Sequence, residues 1–463
     1  MALDFFFNPK AVAVIGASRN RQKVGNVIFR NMLERHEKVF PVNPKAGEVE
    51  GVKCYRSVLE IPREVDLAII AIPANFVPEA LEECGKKGVK GAIIISGGFS
   101  EVGNFELERR IKEIARKYGL RIIGPNCVGV LSDKVDSLFF PTYRLRRPEK
   151  GKIAFVSQSG AYGAAMLDWL ASEGLGISKF VSYGNKADVD DIDLLSYLKD
   201  DEETKVIVMY LEETGNGRKF MEIARQVSLK KPIIVLKAGR SEEGAKAVAS
   251  HTGSMAGKDE IYSAAFKQCG IVRAYDSEEL FDFAKALLMQ PPISNNRVAI
   301  VTDGGGFGII ATDICVASGL RIAKLSKETV EQLRKNLPER VSVHNPIDLT
   351  GDADSQRYEV ALNITAKDKN VDALLVILLF QVPTLHSDIV DVLASVQKKF
   401  SKPIVVCAAG GEFTRIQARI LEEAGIPVYS TPGRAAKAIN ALYKYGRWIE
   451  KNRKEGKSDL TQS

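Results

Sequence analysis

Cysteine is sparse and scattered. The six residues (Cys54, Cys84, Cys127, Cys269, Cys315 and Cys407) form no C-x-x-C pair and have no histidine nearby. That pattern argues for reduced, buried thiols rather than a disulfide framework or a zinc site, and no metal-ligand spacing occurs elsewhere. Long apolar runs are also missing. Stretches such as 373–380 fall well short of the ~18 residues that cross a bilayer. The first residues, Met1-Ala2-Leu3-Asp4, lack a basic segment, and the Phe5-Phe6-Phe7 run stops at Asn8-Pro9, so no signal peptide is expected. Charge of one sign is modest, a net +7, and the basic residues do not interleave with aromatics. Nucleic acid and membrane are therefore not expected as partners, and a small polyanionic ligand suits the balance better. The resulting expectation is a cytoplasmic protein of several domains, because 463 residues exceed one ordinary core.

What is present is a regular alternation of apolar strands with amphipathic helices, the pattern of parallel sheets with crossover helices. Strands are expected at 11–15, 39–42, 67–72, 92–96 and 121–123, giving a Rossmann-like domain over 1–137. The Pro- and Arg-rich stretch 138–152 reads as a linker. The rest contains an internal repeat. The segment Lys152-Ile-Ala-Phe-Val-Ser-Gln-Ser-Gly-Ala-Tyr-Gly163 matches Arg297-Val-Ala-Ile-Val-Thr-Asp-Gly-Gly-Gly-Phe-Gly308 position for position. Lys231-Pro-Ile matches Lys402-Pro-Ile, and Gly270-Ile271 matches Gly425-Ile426. Two α/β domains of one design are expected, at 150–292 and 296–447, followed by a polar tail at 448–463 that is disordered from Lys451.

The copies differ in length. From the Lys-Pro-Ile strand to the Gly-Ile pair is 39 positions in the first copy and 23 in the second, so the first holds 16 extra residues within 238–260. These include Ser250-His251-Thr252-Gly253-Ser254. A long loop is expected there, and loops beyond about 12 residues in compact domains are often functional. The other histidines, His36, His344 and His386, sit in surface or turn contexts and receive no role.

Several strand ends could carry chemistry. Val12-Ala-Val-Ile-Gly16-Ala17-Ser18-Arg19, continuing through Lys23-Val24 into a helix, brings backbone amides and a helix N-terminus toward a phosphate; the alternative is a tight turn that binds nothing. After the second strand, Val42-Asn43-Pro44-Lys45 puts a lysine where a nicotinamide enzyme places an acid, which argues against a dehydrogenase. Ser96-Gly97-Gly98 and Gly124-Pro125-Asn126-Cys127 face the same crevice, though each alone is ordinary loop chemistry. Ser159-Gly160-Ala161 opens a helix directly after a strand and makes an anion cradle, or simply a capped helix start. Its twin places Asp303 beside the turn. Glu212 and Glu213 close the strand 206–211, where a carboxylate can fix one tautomer of an imidazole and leave the other nitrogen nucleophilic. Exposed glutamates at that position need no such role.

Taken together, Gly16-Ala-Ser18, Pro41-Val-Asn-Pro-Lys45, Ser96-Gly-Gly98, Gly124-Pro-Asn-Cys127, Ser157-Gln-Ser-Gly160 and Ser250-His-Thr-Gly253 resemble the α subunit of ADP-forming (NDP-forming) acyl-CoA synthetases, of the acetate–CoA ligase type and the succinyl-CoA synthetase superfamily. The resemblance runs in order over nearly the whole chain. It implies an α/β fold with a Rossmann-like CoA-binding domain followed by two flavodoxin-like parallel-sheet domains. It also implies reversible conversion of acyl-CoA, ADP and phosphate into acid, CoA and ATP, with His251 phosphorylated and Glu213, in preference to Glu212, holding its imidazole. Phosphate would sit at Ser159, Gly160 and Ala161. Coenzyme A would lie against Gly16, Ala17, Ser18, Arg19, Lys23, Val24, Val42, Asn43, Lys45, Ile72, Pro73, Ser96, Gly97, Asn126 and Cys127. Neither a Walker-type loop nor an ATP-grasp stretch is found, so the resemblance implies a β subunit carrying Mg²⁺ and ADP/ATP in an α2β2 complex. Gly239, Gly244, Gly253 and Gly257 would let the His251 loop swing toward it. The competing reading is a CoA-binding regulatory or scaffold protein without catalysis.

Overall fold

The structure, a computed structural model, describes residues 3–252 and 258–460, without the side chains of 249–252 and 455–460. It divides into two compact units, residues 1–273 and 274–463. The first unit opens with β1 (Val12–Ile15), α1 (Val24–Arg35), β2 (Val39–Val42), the short hairpin β3 (Glu48–Val49) and β4 (Val52–Lys53), β5 (Leu67–Ile70), α2 (Val77–Lys87), β6 (Gly91–Ile94), α3 (Phe105–Tyr118) and β7 (Arg121–Ile123). Every residue of β1, β5 and β6 is buried, as befits strands covered on both faces by crossover helices. The sheet order is β2-β1-β5-β6-β7, all parallel where paired to β1 and β5. The chain reverses direction between β1 and β5, and such a switch point opens a crevice at the strands' carboxyl ends.

The same unit continues with β8 (Gly129–Leu131), β9 (Lys150–Ser157), α4 (Gly160–Ser172), β10 (Ile177–Ser182), α5 (Asp191–Lys199), β11 (Val206–Leu211), α6 (Gly217–Ser228), β12 (Ile233–Lys237), α7 (Glu242–Thr252), α8 (Asp259–Cys269) and β13 (Val272–Ala274). These strands run β13-β12-β11-β9-β10-β8. The edge strand β8 is antiparallel to β10, so residues assigned from sequence to the first domain complete the second sheet. The stretch read as a linker is tied down as well: Asn31 donates to the Leu138 carbonyl at 2.7 Å, and a buried Arg147–Asp136 ion pair closes at 2.8 Å. One hydrophobic core runs under both sheets, with Phe7 stacked on Tyr197 at 4.8 Å.

The second unit holds α9 (Ser277–Met289), β14 (Arg297–Thr302), α10 (Gly305–Ala317), β15 (Arg321–Ile322), α11 (Lys327–Asn336), β16 (Ile347–Asp348), α12 (Ser355–Lys367), β17 (Ala373–Ile377), α13 (Ile389–Phe400), β18 (Ile404–Cys407), α14 (Glu412–Glu423), β19 (Val428–Tyr429) and α15 (Pro432–Leu460). Its sheet order, β15-β14-β17-β18-β19, is that of the second sheet and of the first: strand two, one, three, four, five. Helix α9, which falls inside the span 150–292 expected from sequence, packs within this unit, where Asp282 pairs with Arg434 at 2.7 Å and Lys285 with Glu422 at 2.6 Å. The tail expected to be disordered from Lys451 instead continues α15 to Leu460. Within that helix the bare Cα of Gly446 lies against the backbone of Ile293, and Glu450 and Lys454 pair one turn apart. Residues 461–463 lie outside the described residues.

Candidate active site

At the switch point of the first sheet lies a cavity of about 700 Å³. Its floor is built by close backbone approach. Gly16 has φ +95°, and a Cβ there would sit 2.3 Å from the Ala71 carbonyl oxygen; a Cβ on Gly25 would sit 2.0 Å from the Gly16 carbonyl oxygen. Glycine at both positions lets α1 begin directly over the end of β1. The intervening turn is pinned by side-chain amides. Asn43 donates to the Ala17 carbonyl and Asn26 to the Ser18 carbonyl, both at 2.7 Å. Glu50 joins Asn26 to Arg21 and is held below the usual carboxylate range chiefly by the Arg21 hydrogen bond.

The cavity is lined by Gly16, Ser18, Lys23, Val24, Asn43, Lys45, Ile72, Pro73 and Ser96 of the sequence-derived set, joined by Gly25, Ala71, Ile95 and Phe139. The remaining candidates lie off its wall. Ala17, Val42 and Cys127 are buried beneath it, and the Cys127 thiol donates to the Ile94 carbonyl, with burial pushing its pKa up to about 12. Arg19, Gly97 and Asn126 are exposed nearby. Phe139 was missed because it sits in the supposed linker, and the Phe139-Phe140 doublet was its only signal.

The switch point of the second sheet falls between β9 and β11, and it gathers the second group of candidates. Ser159 caps α4, its hydroxyl oxygen accepting from the Tyr162 amide at 3.4 Å, and the Ser157 hydroxyl donates to the Ser159 carbonyl at 2.6 Å. Gly160 and Ala161 follow as the first helical residues, so their amides belong to the orphan donors of a helix N-terminus. Gln158 ties this turn to the glutamates: its side-chain oxygen accepts from the amides of Glu212 at 2.9 Å and Glu213 at 3.2 Å. Glu212 is buried, whereas Glu213 is half-buried and forms an ion pair with Lys186.

Three residues of this region escaped sequence reasoning. Lys186, from the loop after β10, also approaches Asp191 at 3.6 Å, whose carboxyl is pushed up by burial with Lys186 opposing. Asn185 donates to Glu101 at 2.6 Å and to Glu108 at 3.1 Å, fastening the Ser96-Gly97-Gly98 loop to the second sheet. Lys237, the last residue of β12, is 1% exposed; burial lowers its pKa, and its ammonium lies 4.6 Å over the Tyr262 ring.

Among the described residues, the extra stretch does not form the expected loop. Most of it makes α7, capped by Ser241, whose hydroxyl accepts from the Gly244 amide at 3.0 Å. Glu242 and Glu243 in its first turn and three following alanines favour the helix, and these signals were present in the sequence. Gly244 is therefore inside a helix, where its bare Cα lets Gly239 approach; Gly239 takes the turn, at φ +70°. His251 belongs to the last turn of α7, which runs beside the 3₁₀ turn Ser100–Val102. Its side chain, together with Gly253, Ser254 and Gly257, lies outside the described residues. Among the described residues no group of three or more His, Cys, Asp or Glu is placed to hold a metal ion.

Three family models match the chain in order: a CoA binding domain over residues 10–133, a succinyl-CoA ligase like flavodoxin domain over 150–287 and a Ligase-CoA domain over 298–452. The I subunit alpha of acetate–CoA ligase [ADP-forming] from Pyrococcus furiosus is 46% identical over 467 residues, covering 98% of this chain and 100% of that one. The chain belongs to the family of ADP-forming acetate–CoA ligases. Another member, from Methanocaldococcus jannaschii, is 46% identical over 96% of this chain, and the match spans 63% of that longer protein. Among solved structures of the family, the dinucleotide forming acetyl-coenzyme A synthetase 1 of Ca. Korarchaeum cryptofilum, in complex with phosphate and ADP, superposes with a TM-score of 0.90 at 41% identity, covering 98% of this chain and 99% of that one. Membership agrees with the α/β fold of successive parallel sheets and with a CoA-binding first domain.

Proposed function

We propose that this chain is the α subunit of an ADP-forming acetate–CoA ligase and works by moving a phosphoryl group onto His251. Coenzyme A occupies the cavity over Gly16, where Lys23 and Lys45 face its phosphates and the glycine floor admits the pyrophosphate close to backbone amides. Inorganic phosphate sits at the start of α4, on the amides after Ser159, and attacks the thioester carbonyl of the acyl-CoA. The CoA thiolate leaves and acyl phosphate remains. A nitrogen of His251 then attacks phosphorus, the carboxylate departs as the free acid, and Glu213 holds the imidazole so that one nitrogen stays unprotonated.

Transfer to ADP takes place on a β subunit with an ATP-grasp domain, in an α2β2 complex. Mg²⁺ held there supplies charge neutralisation on the nucleotide phosphates. The observation that carries this reading is convergence: the CoA cavity, the helix-start cradle and Glu213 lie at strand carboxyl ends of one compact unit, and the His251 helix runs beside the Ser100–Val102 turn that Asn185 clasps. A scaffold that only binds CoA needs the cavity but neither the cradle nor the glutamate.

The test uses the full chain with acetyl phosphate labelled on phosphorus. Acid-labile, base-stable label is expected on the wild type and absent from His251→Asn, with CoA affinity the same in both. Label retained by the variant rejects the assignment.

A further inference from the structure

The carboxylate assigned to His251 is itself held by a residue that no motif marks. Lys186 has φ +47°, a left-handed conformation that costs a non-glycine residue on the order of 1 kcal/mol and is retained where its surroundings enforce it. The enforcement is visible. The amides of Asn185 and Ala187 donate to the carbonyls of Pro125 and Gly124, both at 3.0 Å, and the Lys186 amide donates to the Tyr183 carbonyl at 3.0 Å. The strained turn aims the side chain inward, where it is 12% exposed.

There the ammonium has three partners. It pairs with Oε1 of Glu213, donates to the Glu213 backbone carbonyl at 3.0 Å and approaches Asp191 at 3.6 Å. Asp191 is fixed in turn by the Thr214 hydroxyl, which donates to it at 2.7 Å. One glutamate is thus gripped at both main chain and side chain. Its Oε2 makes no hydrogen bond among the described residues. Such a grip removes the rotamer freedom a glutamate would otherwise lose on meeting its partner.

We propose that Lys186 is a positioning residue for phosphoryl transfer: it clamps Oε1 of Glu213 so that Oε2 is presented to the imidazole of His251. The proposal rests on the reading of His251 and Glu213 given above. Lys186 touches neither phosphate nor acyl group in this scheme. It acts through Glu213, and that is what the test must separate.

The experiment measures the initial rate of His251 labelling from labelled acetyl phosphate, and CoA affinity, in the full chain carrying Lys186→Met, Lys186→Arg, Glu213→Gln or the double substitution Lys186→Met/Glu213→Gln. Lys186→Met is expected to slow labelling about 10- to 100-fold, the range for partners that orient a reacting group, with CoA affinity unchanged. Lys186→Arg should recover most of the rate. In the Glu213→Gln background the lysine substitution should slow labelling by less than about twofold more, because a residue acting through another has nothing left to orient. If Lys186→Met lowers the melting temperature, Lys186→Gln takes its place in the same cycle. Wild-type labelling rates in Lys186→Met, or losses that multiply in the double variant, overturn the clamp alone. A wild-type chain that takes no label at His251 overturns the parent reading and the clamp with it.

Discussion

In the second sheet Gln158 offers a neutral carbonyl to the amides of Glu212 and Glu213; in the third, the residue at the matching position, Asp303, offers a carboxylate to the amide of Leu379 at 3.1 Å. The surrounding design is shared. Ser157 and Thr302 each donate a hydroxyl to the carbonyl two residues on, at 2.6 and 3.0 Å. Gly163 and Gly308 each let the following helix lie against that hydroxyl-bearing residue. Strand order is also the same. Where the copies diverge, charge decides: Asp303 and Asp348 crowd the helix start of α10, whereas α4 begins beside small neutral residues. The duplicated scaffold thus leaves the helix start neutral in one copy and sets two carboxylates beside it in the other. The first copy also gains α7, and Lys237 where the second has Ala408.

The comparison can be broken most severely by erasing the insertion. Deleting residues 240–255 gives the first copy the connection length of the second; His251 labelling should vanish while CoA binding, measured by titration, survives within a few-fold. Next, Gln158→Glu imports the carboxylate of the second copy. A like charge about 5 Å from phosphate costs about 3 kcal/mol at an effective dielectric of about 20, so labelling with acetyl phosphate should slow on the order of 100-fold.

The converse change is Asp303→Asn. Burial, with Asp348 adding to it, pushes the Asp303 carboxyl up to about 6 from 3.8. A carboxyl whose folded value is raised favours folding at low pH and loses that contribution as pH rises through about 6. Asparagine mimics the protonated form, so the variant should be more stable than wild type by at most about 3 kcal/mol at pH 8, and the gain should shrink toward zero near pH 4. Denaturant unfolding across that range reads it directly.

The smallest effect is expected for Lys237→Met. A buried ammonium without an ion pair among the described residues costs stability, and a methionine of similar shape should add about 1 kcal/mol near neutral pH. Because burial lowers the lysine's folded value, the penalty is present below that value and fades toward the ordinary lysine range, so the gain should fall as pH rises.

Much of this was legible in the sequence, for reasons that can be named. Continuous apolar runs located the central strands, because strands buried on both faces have no polar positions to blur them. The repeat predicted a common sheet, and the second and third sheets have one order. The floor of the cavity was visible because only glycine allows such close approach of backbones, at Gly16 above all. Other features were hidden. Lys186 reaches Glu213 across 27 positions from a loop with no signature, and only the fold brings them together. The pairing of β8 with β10 depends on the chain leaving the first sheet early, which a strand as short as Gly129-Val130-Leu131 cannot announce. The extra length of the first copy hid helix α7, whose signals are the Ser241 cap and three alanines, and the polar composition after 447 hid the continuation of α15 to Leu460.

The central claim is that His251, in the copy with the neutral cradle, carries the phosphoryl group. The most direct measurement is peptide mapping of the full chain after exposure to acetyl phosphate labelled on phosphorus, under conditions that preserve phosphoramidates. One labelled peptide, containing residues 247–258 and modified at His251, is the expected result. Label on any other residue with His251 unmodified contradicts the account.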